Sequence, residues 1–295
     1  RSSRHAVTTA IEHPSVTAAF DRLAEEGFEV TVVPPAADGS INPNDVVAAC
    51  RPDTVLVSVM LVNNETGARF PMDKTAPRIR KRSPLAVIHT DAVQAVGKIP
   101  IHVGRMGIDL LSVSGHKLYA PKGVGALYIR KGVKIKPVTF GGEQEQQNGL
   151  SIRPGTEAMP AIAGFAAAAR ALPDPQKELE HIRMLRDYMV EKLTELGDVV
   201  INSPPDALPY VTNVSVLGIK SEPMLNFLSD RGISVSAGSA CSKGKKSSVL
   251  KEFKVQEKHL DSTIRISFCA DNTEEEIDCL MTAIKQAQQK LCGIK

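Results

Sequence analysis

Ser114, Gly115, His116 and Lys117 form a polar cluster between two apolar runs of strand length, at residues 109–113 and 124–129. A lysine just past a buried strand end loses hydration, and its amine pKa falls. Such an amine forms a Schiff base with a carbonyl. Ser114 and His116 beside it both donate hydrogen bonds and suit a phosphate. A lysine together with phosphate ligands is what pyridoxal phosphate needs from a protein. A solvated loop lysine would leave the same letters, so the cluster alone leaves both readings open.

A second chemical centre lies in the C-terminal half. Cys241 sits in a stretch of Ser, Ala, Gly and Lys running from Ser236 to Ser248. Lys243, Lys245 and Lys246 favour its thiolate, the reactive form. The alternative is an exposed, inert thiol. Of the other four cysteines, Cys50, Cys269 and Cys279 fall on patterned helices or at a strand end and read as packing residues, and Cys292 lies idle near the end. Arg265 belongs to an alternating strand, Ser-Thr-Ile-Arg-Ile-Ser. Its fork fits a carboxylate in two hydrogen bonds, either that of an amino acid or that of a structural partner.

The elements that must position these groups are legible from periodicity. His13-Pro14 opens a helix, since Pro suits its first position and Val16, Phe20 and Leu23 share a face. Gly27 ends it. Strands are expected at 28–33, 54–60, 85–89, 109–113 and 124–129, with helices at 43–50 and 71–81 between them. Strands alternating with helices imply a mostly parallel sheet covered on both sides. Ligands gather beyond the carboxyl ends of such strands. The polar clusters Asn63–Gly67, Asp91–Gln94 and Ser114–Lys117 all stand there. A long connection spans 138–155. Helices follow at 157–172, 176–196, 222–230 and 273–291, with strands at 211–216, 233–236 and 262–268. Pro173-Asp174-Pro175 marks a boundary between residues 1–173, a large α/β domain, and 174–295, a smaller α+β domain.

Composition narrows the function. The chain has 295 residues, 42% hydrophobic and 23% charged, enough for two cores. A net charge of +3 is too mild to imply nucleic acid, and the lack of Trp with 4% aromatics gives little support to a base-stacking surface. No run of 18 apolar residues exists, so no membrane span is expected. Five cysteines without metal-type spacing read as reduced thiols of a cytoplasmic protein.

Together these pieces resemble the cysteine desulfurases (NifS- and IscS-like) of the class V aminotransferase family. The motifs are, in order, Glu12-His13, Asn63-Asn64-Glu65-Thr66-Gly67, His89 through Gln94, Ser114 through Lys117, Arg153-Pro154-Gly155-Thr156, Ser239-Ala240-Cys241 and Ser262 through Arg265. The resemblance covers nearly the whole chain. It departs in the Lys-Gly-Lys-Lys stretch after Cys241. It also implies a cofactor-seating segment ahead of Arg1, which this sequence lacks.

The resemblance implies a fold type I, pyridoxal-phosphate-dependent enzyme. It would act on L-cysteine as a homodimer and pass sulfur to an acceptor such as an iron–sulfur scaffold protein. Selenocysteine lyase and a non-catalytic binding subunit are the alternatives. By the same resemblance Lys117 is the Schiff-base lysine, Asp91 pairs with the pyridine nitrogen, and His13 stacks on the ring. Asn64 and Gln94 bind the ring's phenolic oxygen, while Ser114 and His116 bind the phosphate. Thr156 reaches the phosphate of the other subunit. Arg265 holds the substrate carboxylate, and Cys241 takes the sulfur.

Overall fold

The computed structural model describes residues 4–36, 39–142, 144–147, 150–237, 247–253 and 255–291. The first half consists of β1 (His5–Thr9), α1 (Pro14–Glu25), β2 (Glu29–Val33), α2 (Pro43–Ala49), β3 (Thr54–Ser58), α3 (Met72–Arg82), β4 (Val87–Asp91), β5 (Leu110–Ser114) and β6 (Gly125–Ile129). Its six strands form one sheet in the order β2-β1-β3-β4-β5-β6. The β5–β6 pairing is antiparallel and the others are parallel. Val7, Val57, Ile88 and Leu111 from its central strands pack with Val46 of α2 and Met72, Ala76 and Ile79 of α3. The mostly parallel α/β sheet is therefore present, with its polar turns at the carboxyl ends.

The second half runs through β7 (Glu145–Gln147), β8 (Leu150–Arg153), α4 (Met159–Ala171), α5 (Pro175–Leu196), β9 (Val199–Ile201), β10 (Val211–Val216), α6 (Ser221–Ser229), α7 (Ser248–Glu252), α8 (Glu257–Leu260), β11 (Thr263–Ser267) and α9 (Glu274–Leu291). Strands β11, β10 and β9 make an antiparallel sheet. Its Val214, Val216, Ile264 and Ile266 form a second core with α5, α6 and α9. Helix α5 serves both cores: Ile182 belongs to the first, and Leu185, Met189 and Leu193 to the second.

Local signals explain the helix ends. The His13 imidazole caps α1, with Nδ1 accepting from the Ser15 N–H at 3.2 Å. Asn42 and Asp174 cap α2 and α5 in the same way, each ahead of a Pro. Thr273 and Glu276 form a reciprocal capping box at α9, with bonds of 3.3 and 3.4 Å.

Three differences from the sequence reading stand out. Strand β1 was not expected, yet all five of its residues are buried between β2 and β3. The expected strand at 233–236 is reduced to one bridge between Ser236 and Arg265. The connection at 138–155 contains the β7–β8 hairpin.

Candidate active site

Asp91 ends β4 and Ser114 ends β5, so both project where the parallel strands stop. Around them lies a cavity of about 330 Å³, within the range of small-ligand sites. His13, Asn64, Asp91, Gln94, Ser114, His116, Lys117 and Arg265, all singled out in the sequence, line it together with Ser15 and Met60. They come from five separate parts of the chain. Strand order alone brings the first seven together, and Arg265 arrives from β11 of the second sheet.

Asp91 is 8% exposed. Its Oδ1 accepts the Val93 N–H at 2.9 Å. Burial raises its pKa, while the Val93 hydrogen bond and the His13 charge oppose that. A buried carboxylate in this condition gains from a cation placed opposite it. Beneath it, His89 bridges three strands, with Nδ1 at 2.7 Å from Ser58 Oγ and Nε2 at 2.9 Å from Ser112 Oγ. Burial pushes His89 down to about 4, so the bridge is neutral and adds no charge near Asp91.

His13 is held by its cap role: Nδ1 takes the Ser15 N–H, and Ser15 Oγ lies 2.8 Å from the same nitrogen. In the neutral ring the proton then sits on Nε2. Ser114 Oγ lies 2.7 Å from His116 Nδ1, so these two groups form one polar patch. A short 3₁₀ turn, Gly115–Lys117, carries His116 and Lys117 outward.

Lys117 is exposed, which corrects the expectation of a desolvated amine. The turn lifts it off the sheet onto the wall between the cavity and a wider neighbouring cleft of about 770 Å³. The desolvated lysine is instead Lys98, pushed down to about 8 by burial first and by the Lys117 and Arg265 charges as well. Its Nζ donates to Gln94 Oε1 at 3.0 Å, which turns the Gln94 amide nitrogen the other way. The four-residue spacing from Gln94 was visible in the sequence but carried no chemistry by itself.

Arg265 is half-buried, and burial lowers its pKa. Nη1 donates to the Asn64 carbonyl at 3.0 Å. Its buried Nε has no partner among the described residues. An unsatisfied guanidinium N–H beside a cavity suits a bound carboxylate.

Glu12 was quoted with His13 in the sequence but given no task. It is 2% exposed, and its Oε1 accepts from Thr9 Oγ1 at 2.6 Å and from the Met60 N–H at 2.9 Å. Burial raises it to about 8, so it is neutral at pH 7. That spares the site a second carboxylate charge near Asp91.

Other expectations fare differently. Thr156 is exposed and does not line the cavity. Cys241 and Cys292 lie outside the described residues. Cys50 is buried, and burial pushes its thiol up to about 11, as a packing role requires. Cys269 is half-buried. Cys279 is exposed, which corrects its assignment to the core. The buried face of α9 carries Ile277, Leu280, Met281 and Ile284, and position 279 turns away from it.

The donor set fits pyridoxal phosphate. A lysine stands at the wall, a buried carboxylate awaits a cation, and Ser114 with His116 offers anion ligands in a cavity of suitable size. The family model for aminotransferase class-V matches residues 1–280. This chain belongs to the class-V aminotransferase family. It is 37% identical to the cysteine desulfurase of Nostoc sp., covering 98% of this chain and 72% of that protein. Among solved structures it is similar to a NifS-like protein, with a TM-score of 0.88 and 35% identity over 97% of this chain and 75% of that one. It is also similar to SspA in complex with cysteine, with a TM-score of 0.76 and 33% identity over 91% of this chain and 74% of that one. Among the described residues no helix is long and apolar enough to cross a membrane, and no group of three or more His, Cys, Asp or Glu is placed to hold a metal ion.

Proposed function

We propose that this chain is a cysteine desulfurase that uses pyridoxal phosphate to convert L-cysteine to L-alanine, leaving the sulfur as a persulfide on Cys241. The convergence of Lys117, buried Asp91, the Ser114–His116 pair and Arg265 on one cavity carries the reading. Its membership of the class-V family and its likeness to desulfurases support it.

When bound, pyridoxal phosphate supplies an electron sink for bonds at the substrate α-carbon. Lys117 is the amine that holds it, and Lys117 Nζ then moves the α-proton. Asp91 presents its carboxylate to the ring nitrogen. His13, fixed by Ser15, would hold the ring by stacking on it. Asn64 and Gln94 donate to the phenolic oxygen, and the Lys98 contact aims the Gln94 nitrogen for that task. Ser114 and His116 hold the phosphate. Arg265 takes the substrate carboxylate. The Cys241 thiolate attacks the substrate sulfur. An S–S bond forms and the substrate C–S bond breaks. The electron pair stays with carbon, which gains a proton to become L-alanine.

In the proposed homodimer Thr156 reaches the phosphate of the other subunit. Helix α4, just beyond it, has no buried residue, and its Met159 is 61% exposed, which supports a covering partner. The persulfide goes on to an acceptor such as an iron–sulfur scaffold protein, in a reducing compartment such as the cytoplasm. The test is to add pyridoxal phosphate and L-cysteine to the purified protein. The reading expects a visible absorption band and release of L-alanine. A protein that binds the cofactor but leaves cysteine unchanged refutes it.

A further inference from the structure

The turn after β3 touches the second half of the chain at three points. The Asn64 carbonyl accepts from Arg265 Nη1 at 3.0 Å. The Gly67 carbonyl accepts from the Leu208 N–H at 2.8 Å. Between them, Glu65 Oε2 accepts from the Ser247 hydroxyl at 2.6 Å, across 182 residues of sequence. Glu65 is 3% exposed, and Ser247 is buried as well. The approach is tight: a Cβ on Gly67, whose φ is +74°, would lie 2.8 Å from the Leu208 and Val211 carbonyl oxygens.

The turn is also braced from its own side. Asn63 is fully buried, and its Oδ1 accepts the Glu65 and Thr66 N–H groups, each at 2.9 Å. Its Nδ2 donates to the Ile11 carbonyl at 2.9 Å, two residues from His13. Ser247 is equally committed: its hydroxyl accepts the Leu250 N–H at 3.1 Å and so caps α7. Both ends of the Glu65–Ser247 contact are thus fixed by further hydrogen bonds. A rigid strut results, and it stands beside two cavity residues, Asn64 on the turn and Arg265 on β11.

Resting on the desulfurase reading, we propose that Glu65 and Ser247 are positioning residues that set Arg265 for the substrate carboxylate. Arg265 spends Nη1 on the turn and keeps a buried Nε with no partner among the described residues, so its aim depends on where the turn sits relative to β11. The strut fixes that relation. The charges agree with the geometry: burial raises the Glu65 pKa, and the Ser247 hydrogen bond and the Arg265 charge oppose that, while burial lowers the Arg265 pKa and the Glu65 charge opposes it.

The test compares two ligands on the cofactor-loaded protein. L-alanine carries the carboxylate, and ethylamine is the same molecule without it. Each is titrated by the change it causes in the visible band. In Glu65→Ala and in Ser247→Ala, affinity for L-alanine should fall about tenfold, the weight of one charge-assisted hydrogen bond. Affinities for ethylamine and for the cofactor should stay at wild-type values. Glu65→Gln retains an oxygen for the Ser247 hydroxyl and should restore L-alanine affinity to within about threefold of wild type. If Glu65→Ala fails to fold, Ser247→Ala, which keeps the carboxylate, decides. Equal losses for both ligands, or wild-type L-alanine affinity in the variants, overturns the proposal while the desulfurase reading stands. A wild-type protein that never develops the band overturns the reading and this proposal together.

Discussion

Asp91→Asn removes one charge and almost nothing else. Asn is isosteric, and its side-chain oxygen can still accept the Val93 N–H that Asp91 Oδ1 holds at 2.9 Å. The turn at the end of β4 should therefore survive. What is lost is the attraction between a carboxylate 8% exposed and the protonated ring nitrogen proposed to face it. Two opposite charges ~4 Å apart at an effective dielectric of ~20 interact by ~4 kcal/mol. Loss of ~4 kcal/mol at the transition state slows a reaction by ~10³. Part of this is returned because Asn carries no desolvated charge, so kcat for cysteine should fall by about 10² to 10³. Cofactor binding should persist, since the lysine and the phosphate ligands are untouched. The assay is steady-state alanine release at matched cofactor occupancy, read from the visible band. A kcat within about tenfold of wild type would mean that Asp91 does not hold the ring nitrogen protonated.

Lys117→Ala should abolish the visible band. Borohydride reduction of the loaded wild type, followed by peptide mapping, should place the label on Lys117. A label on Lys98, whose pKa burial pushes down to about 8, or on Lys122, would move the cofactor anchor. Glu12 makes stability depend on pH. Its carboxyl keeps its proton up to about pH 8 when folded but loses it near 4.5 when unfolded, so stability falls as pH rises through that window. Glu12→Gln lacks this loss and should exceed wild type by a few kcal/mol in denaturant titrations at pH 8.5, with a smaller gap at pH 5. Equal stabilities at both pH values would refute a neutral Glu12. Limiting iodoacetamide should modify Cys241 and exposed Cys279 while buried Cys50 stays intact. Early labelling of Cys50 would contradict the packing of α2.

Much of this fold could be read from the chain because its signals are local. His13-Pro14, Asn42-Pro43 and Asp174-Pro175 each start a helix where a cap precedes a proline. The apolar run after Thr54 becomes a central strand. Strand β1 escaped because His5, Thr8 and Thr9 dilute its apolar pattern. The His5 ring is instead satisfied across the sheet by Thr54 and Thr31 at 2.7 and 2.9 Å, and the Thr9 hydroxyl donates to Glu12. The residues 233–236 carry a strand-like pattern, but only Ser236 reaches a partner. Cys279 misled because one apolar-type residue among several was assigned to the wrong side of α9.

At the site, the residues that carry their own chemistry were visible, and eight of them share a cavity. Those that act through others were not. Lys98 acquires its unusual pKa from burial and from the Lys117 and Arg265 charges that the fold brings near it, and Glu65 finds Ser247 only across 182 residues. Neither property exists in a one-dimensional pattern. The setting of Lys117 was misjudged for a related reason: a 3₁₀ turn after a buried strand decides exposure, and the sequence marks that turn only as polar.

The most direct test follows the sulfur atom. Cofactor-loaded protein is mixed with L-cysteine in the absence of oxygen, alanine is quantified, and the alkylated peptides are mapped by mass. The desulfurase reading expects L-alanine together with one added sulfur atom on the Cys241 peptide, and loss of both in Cys241→Ala. Pyruvate and ammonia in place of alanine, or alanine release that continues in Cys241→Ala with sulfur reaching an acceptor, contradicts it.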